Sequence, residues 1–200
     1  LEGLDGAGKT TQAELTVNQL EALGHSSCLY RYTSRNNPVG RLITRIYSAN
    51  SKFGPKSLRE SRYVQEALYA YSARLNFDRL NKQGKEVVIA DRSMLTAFAC
   101  HREKLPEWYI SLVEPKIIPD AILYIDIDPT TGMKRVDERK RRWNDENLAF
   151  QQRLAEHYEQ VMNGSKPQLL RKSKIVRING NREIKEVNRE IVAGILEIIS

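Results

Sequence analysis

The amino-terminal segment LEGLDGAGKTTQ has the residue types and spacing of a loop that binds phosphate. Gly3 is followed after four residues by Gly8-Lys9-Thr10, and loops of this pattern turn backbone N–H groups toward phosphate oxygens at the start of a helix. In such loops the lysine contacts the outer phosphates of a nucleoside triphosphate, and the hydroxyl after it binds Mg²⁺. The alternative is a glycine-rich turn that arose by chance. The pattern predicts an ATP site formed by Gly3, Asp5, Gly6, Ala7, Gly8, Lys9, Thr10 and Thr11.

A second segment, VVIADRS at residues 87–93, places a carboxylate at the end of an apolar strand. Ligands of open α/β sheets bind at the carboxyl ends of the strands, so we expect Asp91 beside the phosphate loop. Because Mg²⁺ prefers oxygen ligands, we predict that Thr10 and Asp91 hold the Mg²⁺ that accompanies ATP, and that Arg92 contacts phosphate. A turn that only caps the strand is the alternative for the Asp–Arg pair.

Short apolar runs alternate with longer, helix-like segments along the chain. Strands are predicted at residues 27–32, 86–91, 121–127 and 174–178, and helices at residues 9–23, 57–83, 107–117, 130–142, 146–162 and 183–199. Strands that alternate with helices are typical of a parallel sheet with helices on both faces. The sequence therefore predicts an α/β fold of the P-loop NTPase type.

A phosphate loop needs a strand that leads into it, and only Leu1 and Glu2 precede this one. We therefore expect that the first strand is cut short and that the natural chain begins earlier. Residues 1–200 contain no repeat, low-complexity tract or long linker, and we interpret them as one domain.

The composition is ordinary for a globular domain, with 40% hydrophobic and 28% charged residues. No segment approaches the ~18 consecutive apolar residues of a membrane-spanning helix, so we expect no membrane partner. Cys28 and Cys100 lack the spacing of a disulfide framework or metal site, which favours a cytoplasmic location.

The net charge is +7, and residues 133–143 hold six of the 32 Lys and Arg. The net charge alone fits a solvated basic surface as well as a polyanionic partner, which would be a nucleotide or a nucleic acid.

Five segments, in order along nearly the whole chain, resemble the thymidylate kinase family of P-loop nucleoside monophosphate kinases. They are EGLDGAGKTTQ (2–12), RYTSRNNPVGRLI (31–43), YAYSAR (69–74), DRS (91–93) and PDAILYIDIDPTTGMKR (119–135) followed by RRWNDENLAFQQRLAEHY (141–158). The first and the last are the most specific. The resemblance implies transfer of the γ-phosphoryl group of ATP to a nucleoside monophosphate, with dTMP as the leading acceptor and dTDP as its product.

The resemblance also implies where the acceptor nucleotide binds. Three arginines would hold its phosphate, since a guanidinium donates two parallel hydrogen bonds to phosphate. One of two tyrosines would stack on the base, and in the family the carboxylate in the loop faces the sugar. Exposed arginines and core tyrosines are the structural alternatives. The acceptor residues implied are Asp5, Arg35, Tyr69, Tyr71, Arg74, Arg92 and Thr96.

Some family members carry a catalytic arginine inside the phosphate loop, and others carry basic residues in a short helical lid. In this sequence Gly6 occupies that loop position, whereas the lid, at about residues 135–147, is rich in Arg and Lys. The resemblance therefore favours a lid arginine, Arg139 or Arg142, that stabilises charge in the transition state. A solvated basic helix face is the alternative. The predicted catalytic residues are Lys9, Arg92, Arg139 and Arg142, supported by Arg135 and Arg153.

Departures from the family pattern lie on the acceptor side, at Thr33, Ser93 and Thr96-Ala97. They leave the base preference open more than the kinase activity. The segment DRS also resembles the deoxynucleoside kinases, which phosphorylate a nucleoside 5′-hydroxyl and need a nearby carboxylate base. Glu2 precedes the loop as a candidate, but Ile89 stands where a further acidic residue would strengthen that interpretation.

A nucleotide-dependent switch or sensor without catalysis is a further alternative, because a basic P-loop domain could bind a nucleic acid or protein partner. Three arginines that converge on an acceptor phosphate argue against a switch, and we do not expect a nucleic-acid partner. Family members are commonly homodimers through helices beside the sheet, so the helix at 57–83 is a candidate for self-association, although its apolar residues could equally belong to the core.

Overall fold

The computed structural model describes residues 1–32, 34–48, 51–101, 105–139, 147–164 and 167–199. The strands of these residues coincide with the apolar runs of the sequence to within one residue at most ends. They are β1 (Glu2–Gly3), β2 (Ser27–Arg31), β3 (Val87–Asp91), β4 (Ala121–Asp126) and β5 (Lys174–Asn179).

The strands are parallel and follow one another in the order β2-β3-β1-β4-β5. β2 pairs with β3, and β4 pairs with both β1 and β5. Leu1 joins the two groups, because its backbone nitrogen donates to the Ala90 carbonyl at 2.5 Å and its own carbonyl accepts from the Arg92 N–H at 3.1 Å. The segments that follow β1 and β3 therefore meet at the same edge of the sheet, where ligands of open α/β sheets bind.

Helices cover both faces of the sheet. Leu123 and Tyr124 are neighbours on β4 and therefore point to opposite faces; Leu123 lies against Gly194, whereas the ring of Tyr124 packs 4.9 Å from that of Tyr158. The predicted parallel α/β fold with helices on both faces is confirmed. The helices are α1 (Lys9–Ala22), α2 (Pro38–Tyr47), α3 (Lys56–Glu60), α4 (Arg62–Asn81), α5 (Met94–His101), α6 (Glu107–Val113), α7 (Pro129–Glu138), α8 (Leu148–Met162) and α9 (Ile184–Ile199).

Two predicted helices differ from the structure for local reasons. The segment predicted as one helix at 57–83 is divided at Ser61, which is extended (ψ 108°) and caps α4 by accepting from the Val64 N–H at 3.4 Å. The helix predicted at 107–117 ends at Val113, because Glu114 precedes a proline and is pushed out of the helical region (ψ 135°). Among the described residues, no helix combines the length and apolar character that crossing a membrane requires.

Candidate functional site

The loop between β1 and α1 is held by hydrogen bonds within itself and to the first turn of α1. Gly8 caps α1 in the left-handed region (φ 84°), and its carbonyl accepts from the Gln12 N–H at 2.9 Å. Lys9, the first residue of α1, is buried, and its Nζ donates to the Leu4 carbonyl at 2.6 Å. The ammonium group is therefore held against the loop rather than in solvent.

In the free protein, the surroundings of Lys9 lower the pKa of its ammonium group. Its pKa is lowered to about 8, chiefly by burial and then by the positive charge of Arg92, while the carboxylates of Asp5, Asp91 and Glu2 partly oppose the shift. A bound phosphate would favour the charged form of the lysine. The loop is thus electrostatically prepared for an anionic ligand.

Thr10 and Asp91 lie together beside the loop, as predicted from their positions in the sequence. The Thr10 hydroxyl donates to Oδ2 of Asp91 at 2.7 Å. Within the described parts of the chain, no group of three His, Cys, Asp or Glu residues could hold a metal ion unaided. A magnesium ion that is bound partly through nucleotide phosphates needs only one or two protein oxygens, however, and a hydroxyl and a carboxylate suit it.

Asp5, the carboxylate within the loop, is held from two directions. The Arg92 guanidinium pairs with Oδ1, and the amide of Gln151 donates to Oδ2 at 2.9 Å while its own oxygen accepts from the Asp5 N–H, also at 2.9 Å. Burial alone would raise the pKa of Asp5, but Arg92, Lys9 and the amide hydrogen bond together hold it below its ordinary value. Asp5 is therefore a carboxylate at neutral pH.

Arg92 adopts an unusual backbone conformation directly after β3. Its φ of 71° lies in the left-handed region, which costs a residue with a side chain about 1–3 kcal/mol and persists only where the surroundings hold it there. Nη1 is 3.5 Å from the Thr96 hydroxyl. Although burial opposes its charge, the carboxylate of Asp5 helps to raise the pKa of Arg92 above its ordinary value. The guanidinium thus remains a cation at the margin of the phosphate loop.

Glu2 lies beneath this pair and is 1% exposed. Its Oε1 accepts from both the backbone N–H and the hydroxyl of Ser93, each at 2.7 Å. Its Oε2 accepts from the hydroxyls of Thr96 and Tyr158, also at 2.7 Å each. Ser93 and Thr96, two of the departures from the family pattern, therefore direct their hydroxyls to Glu2.

The other predicted acceptor residues lie before α2 and on α4. Tyr69 stacks on Tyr47 with ring centroids 6.3 Å apart, and Tyr71 is 57% exposed. Arg74 donates through Nε to both oxygens of Asp78, at 3.1 Å each. Tyr69 and Arg74 thus contact neighbours on α2 and α4.

Arg35 projects from the loop before α2 and is exposed. The loop lies so close to the helix that a β-carbon at Gly40 would overlap the Ser34 carbonyl oxygen. The short distance requires glycine at that position and fixes the place from which Arg35 extends.

Two predicted lid arginines are described on α7. Arg135 donates to the Gly6 carbonyl at 3.2 Å. Arg139 follows the last helical residue and lies near enough to Asp5 for its charge to help lower the pKa of that carboxyl. Arg142 lies outside the described residues, as does most of the predicted lid, and Arg153 is exposed on α8.

The phosphate loop also touches α7 at two glycines. A β-carbon at Gly6 (φ 82°) would overlap the carbonyl oxygen of Gly132, and a β-carbon at Gly132 would overlap the carbonyl oxygen of Asp5. The two backbones can approach this closely only because neither position carries a side chain.

The sequence did not indicate the roles of Gln151 and Tyr158. Both lie on α8, seven residues apart and hence on one side of the helix, and both are buried. They fall within the segment at 141–158 that resembles the family, but that resemblance concerned the lid. The polarity of Gln151 among apolar residues at core spacing was the available signal.

A parallel sheet with a phosphate loop at its carboxyl edge, a Thr–Asp oxygen pair and a partly buried Asp–Arg pair define a nucleotide-binding protein of the P-loop class. The family model described as thymidylate kinase matches residues 1–191. The chain therefore belongs to the thymidylate kinase family.

Individual relatives resemble the chain along most of its length. It is 29% identical to the probable thymidylate kinase of Thermococcus kodakarensis, over 96% of this chain and 94% of that one. It is 30% identical to the thymidylate kinase of Fervidobacterium nodosum, again over 96% and 94%. The match to the thymidylate kinase of Arabidopsis thaliana is 27% identical and covers 98% of this chain and 70% of the plant protein.

Proposed function

We propose that the protein transfers the γ-phosphoryl group of ATP to a nucleoside monophosphate, with dTMP as the acceptor. The observation that carries this proposal is the Asp5–Arg92 pair beside the phosphate loop. Lys9 is expected to bind the phosphates of ATP. Arg92, as a second cation at this edge of the sheet, is therefore available for the phosphate of a second nucleotide. Membership of the thymidylate kinase family supports dTMP as that ligand.

Different residues of the site would bind the two nucleotides. Lys9 would neutralise the outer phosphates of ATP, and Arg92, with Arg35 and Arg74 from neighbouring elements, would grip the acceptor phosphate. Phosphoryl transfer depends mainly on such positioning and charge neutralisation. A lid arginine, Arg139 or Arg142, would supply positive charge at the transferred group.

We include Mg²⁺ with ATP in this proposal. Bound with the nucleotide, it would neutralise phosphate charge, and Thr10 and Asp91 are the residues that would hold it. A cytoplasmic location also belongs to the proposal. Both cysteines are free thiols, which suits a reducing compartment.

A panel of acceptors tests the function. Purified protein with ATP and Mg²⁺ would be given dTMP, dUMP, UMP or thymidine, and ADP formation would be followed. We expect turnover with dTMP and loss of that turnover in a Lys9→Ala control, which excludes a contaminating kinase. ADP formation with none of the monophosphates would refute the proposal.

Two alternatives predict different results from the same panel. A deoxynucleoside kinase would use thymidine instead of its monophosphate, but Glu2, its candidate base, already accepts hydrogen bonds on both oxygens. A nucleotide-dependent switch would hydrolyse ATP slowly whether or not a monophosphate is present.

A further inference from the structure

Glu2 is a buried carboxylate that neither nucleotide is expected to touch. Its two oxygens accept four hydrogen bonds, all at 2.7 Å, from Ser93, Thr96 and Tyr158. A carboxylate buried in this way is stabilised only if its acceptor sites are filled. Every acceptor position of Glu2 is therefore filled. We call Glu2 and these three partners the junction.

The junction holds the turn that carries Arg92. The Arg92 backbone lies in a sparsely populated region (φ 71°), and such conformations persist only where neighbouring contacts determine them. Glu2 binds the next residue, Ser93, through both its backbone N–H and its hydroxyl. Without these two bonds the turn would lose the main side-chain contact on its carboxyl side.

The same junction also fixes α8 relative to the loop. Tyr158 of α8 donates to Glu2, and Gln151, two helical turns earlier, exchanges hydrogen bonds with Asp5. Glu2 and Asp5 lie on either side of Gly3 and Leu4 in the chain. The two carboxylates thus fix the position of α8 along its axis and its rotation about that axis. Asp5 also orients the Arg92 guanidinium.

We propose that Glu2 is a positioning residue for phosphoryl transfer: it fixes the Arg92–Ser93 turn and α8, and so aims Arg92 at the acceptor phosphate. The inference rests on the proposed function, because it takes the acceptor phosphate as the ligand of Arg92. Glu2 itself touches neither nucleotide.

The variants Glu2→Gln and Tyr158→Phe test this role. An amide in place of the carboxylate keeps one acceptor oxygen but turns an NH₂ group toward hydroxyl donors, whereas Tyr158→Phe removes one donor with little change of volume. We expect Glu2→Gln to lower kcat/KM for dTMP roughly tenfold to a hundredfold, the effect of a lost hydrogen bond to a charged group, with a smaller loss in Tyr158→Phe. The KM for ATP should stay within about twofold in Tyr158→Phe, which keeps the Glu2 charge. In Glu2→Gln it should rise, but less than kcat/KM for dTMP falls, because loss of that charge also disfavours the charged form of Lys9.

Ser173→Ala is the matched control, because it removes a buried hydroxyl that donates to the Pro119 carbonyl at 2.7 Å, at the opposite edge of the sheet. It should lower the melting temperature without changing dTMP kinetics. Should Glu2→Gln fail to fold, Tyr158→Phe alone decides. Unchanged dTMP kinetics in the folded variants, or equal effects on dTMP and ATP, would reduce the junction to a structural contact and overturn the inference.

Calorimetric titration with dTMP separates this inference from the proposed function. Wild-type protein that binds dTMP without turnover would refute the function, and the variants' affinities would still test the junction. Binding that is equal in wild type and variants would overturn the inference alone. Wild-type protein that neither binds nor phosphorylates dTMP would overturn both.

Discussion

A carboxylate inside an anion-binding loop is at first sight misplaced, since Asp5 adds negative charge where phosphate should bind. Its partners explain the choice: Arg92 pairs with one oxygen and Gln151 donates to the other. Asp5 therefore acts as a counterion that holds a cation in place. Because Asp5 holds Arg92 beside the loop, the site carries a second cation in addition to Lys9.

Asp5→Asn should impair use of the acceptor selectively. The amide removes the counterion of Arg92 and leaves the guanidinium free to turn away. We expect kcat/KM for dTMP to fall roughly tenfold to a hundredfold. The KM for ATP should rise by less, because loss of the Asp5 charge also disfavours the charged form of Lys9; both constants come from initial rates. Glu14→Gln, which breaks an exposed ion pair with Arg31, is the control and should be nearly silent. Equal losses for both nucleotides would contradict the assignment.

The lowered pKa of Lys9 predicts how activity depends on pH. In the free enzyme the lysine loses its charge as the pH rises through about 8, so kcat/KM for ATP should decline above that value. Bound phosphates favour the ammonium form, and kcat, which reports the complex, should therefore hold to higher pH. Rate profiles at saturating and subsaturating ATP would measure both. A profile of kcat/KM for ATP that is flat through this range would contradict the interpretation.

At the scale of elements, the chain at and after the end of α7 should deliver catalytic charge to the site. Neutralising Arg139, Arg142 or both should lower kcat, because an arginine at the transferred phosphoryl group is worth about 10³–10⁵ in rate in P-loop GTPases. The KM for dTMP should change little. Lys134→Gln, at an exposed position on the same helix, is the control. An unchanged kcat in the double variant would leave the cluster as surface charge.

The strands could be predicted from the sequence because buried parallel strands are continuous apolar runs. The helices α2 and α5 escaped prediction for different reasons. α5 has only eight residues, most of them apolar, so it shows no periodic pattern to detect. The start of α2 did carry a signal, since Asn37 caps the helix and Pro38 begins it.

The candidate site could be predicted only where the residues form a motif. The loop and Asp91 follow from local patterns, and Thr10 donates to Asp91 as their positions in the fold require. Glu2 receives hydrogen bonds from residues 91 to 156 positions away along the chain. Such convergence depends on strand order and helix rotation, which short-range patterns do not encode.

At the scale of the whole molecule, we expect the protein to form a homodimer through α4 and α6. Trp108 and Leu112 on α6 are 65% and 72% exposed and, four residues apart, lie on one face of the helix. Light scattering after gel filtration should give twice the chain mass of 23.0 kDa. Leu112→Lys should shift the protein toward monomer, whereas Leu23→Lys, at another exposed apolar position, should not. A monomeric wild-type protein would exclude this interface.

The contact between Gly6 and Gly132 restricts how the enzyme could evolve. Relatives with an arginine at the loop position of Gly6 need room there, but in this protein that room is filled by the backbone of α7. Arginine could enter only after α7 had moved, and moving α7 would displace Arg135 and Arg139 before the new charge had arrived. If the arginines in and after α7 are catalytic, as we predict, a lineage that acquired a loop arginine stepwise would first lose activity, and single substitutions would preserve the present arrangement.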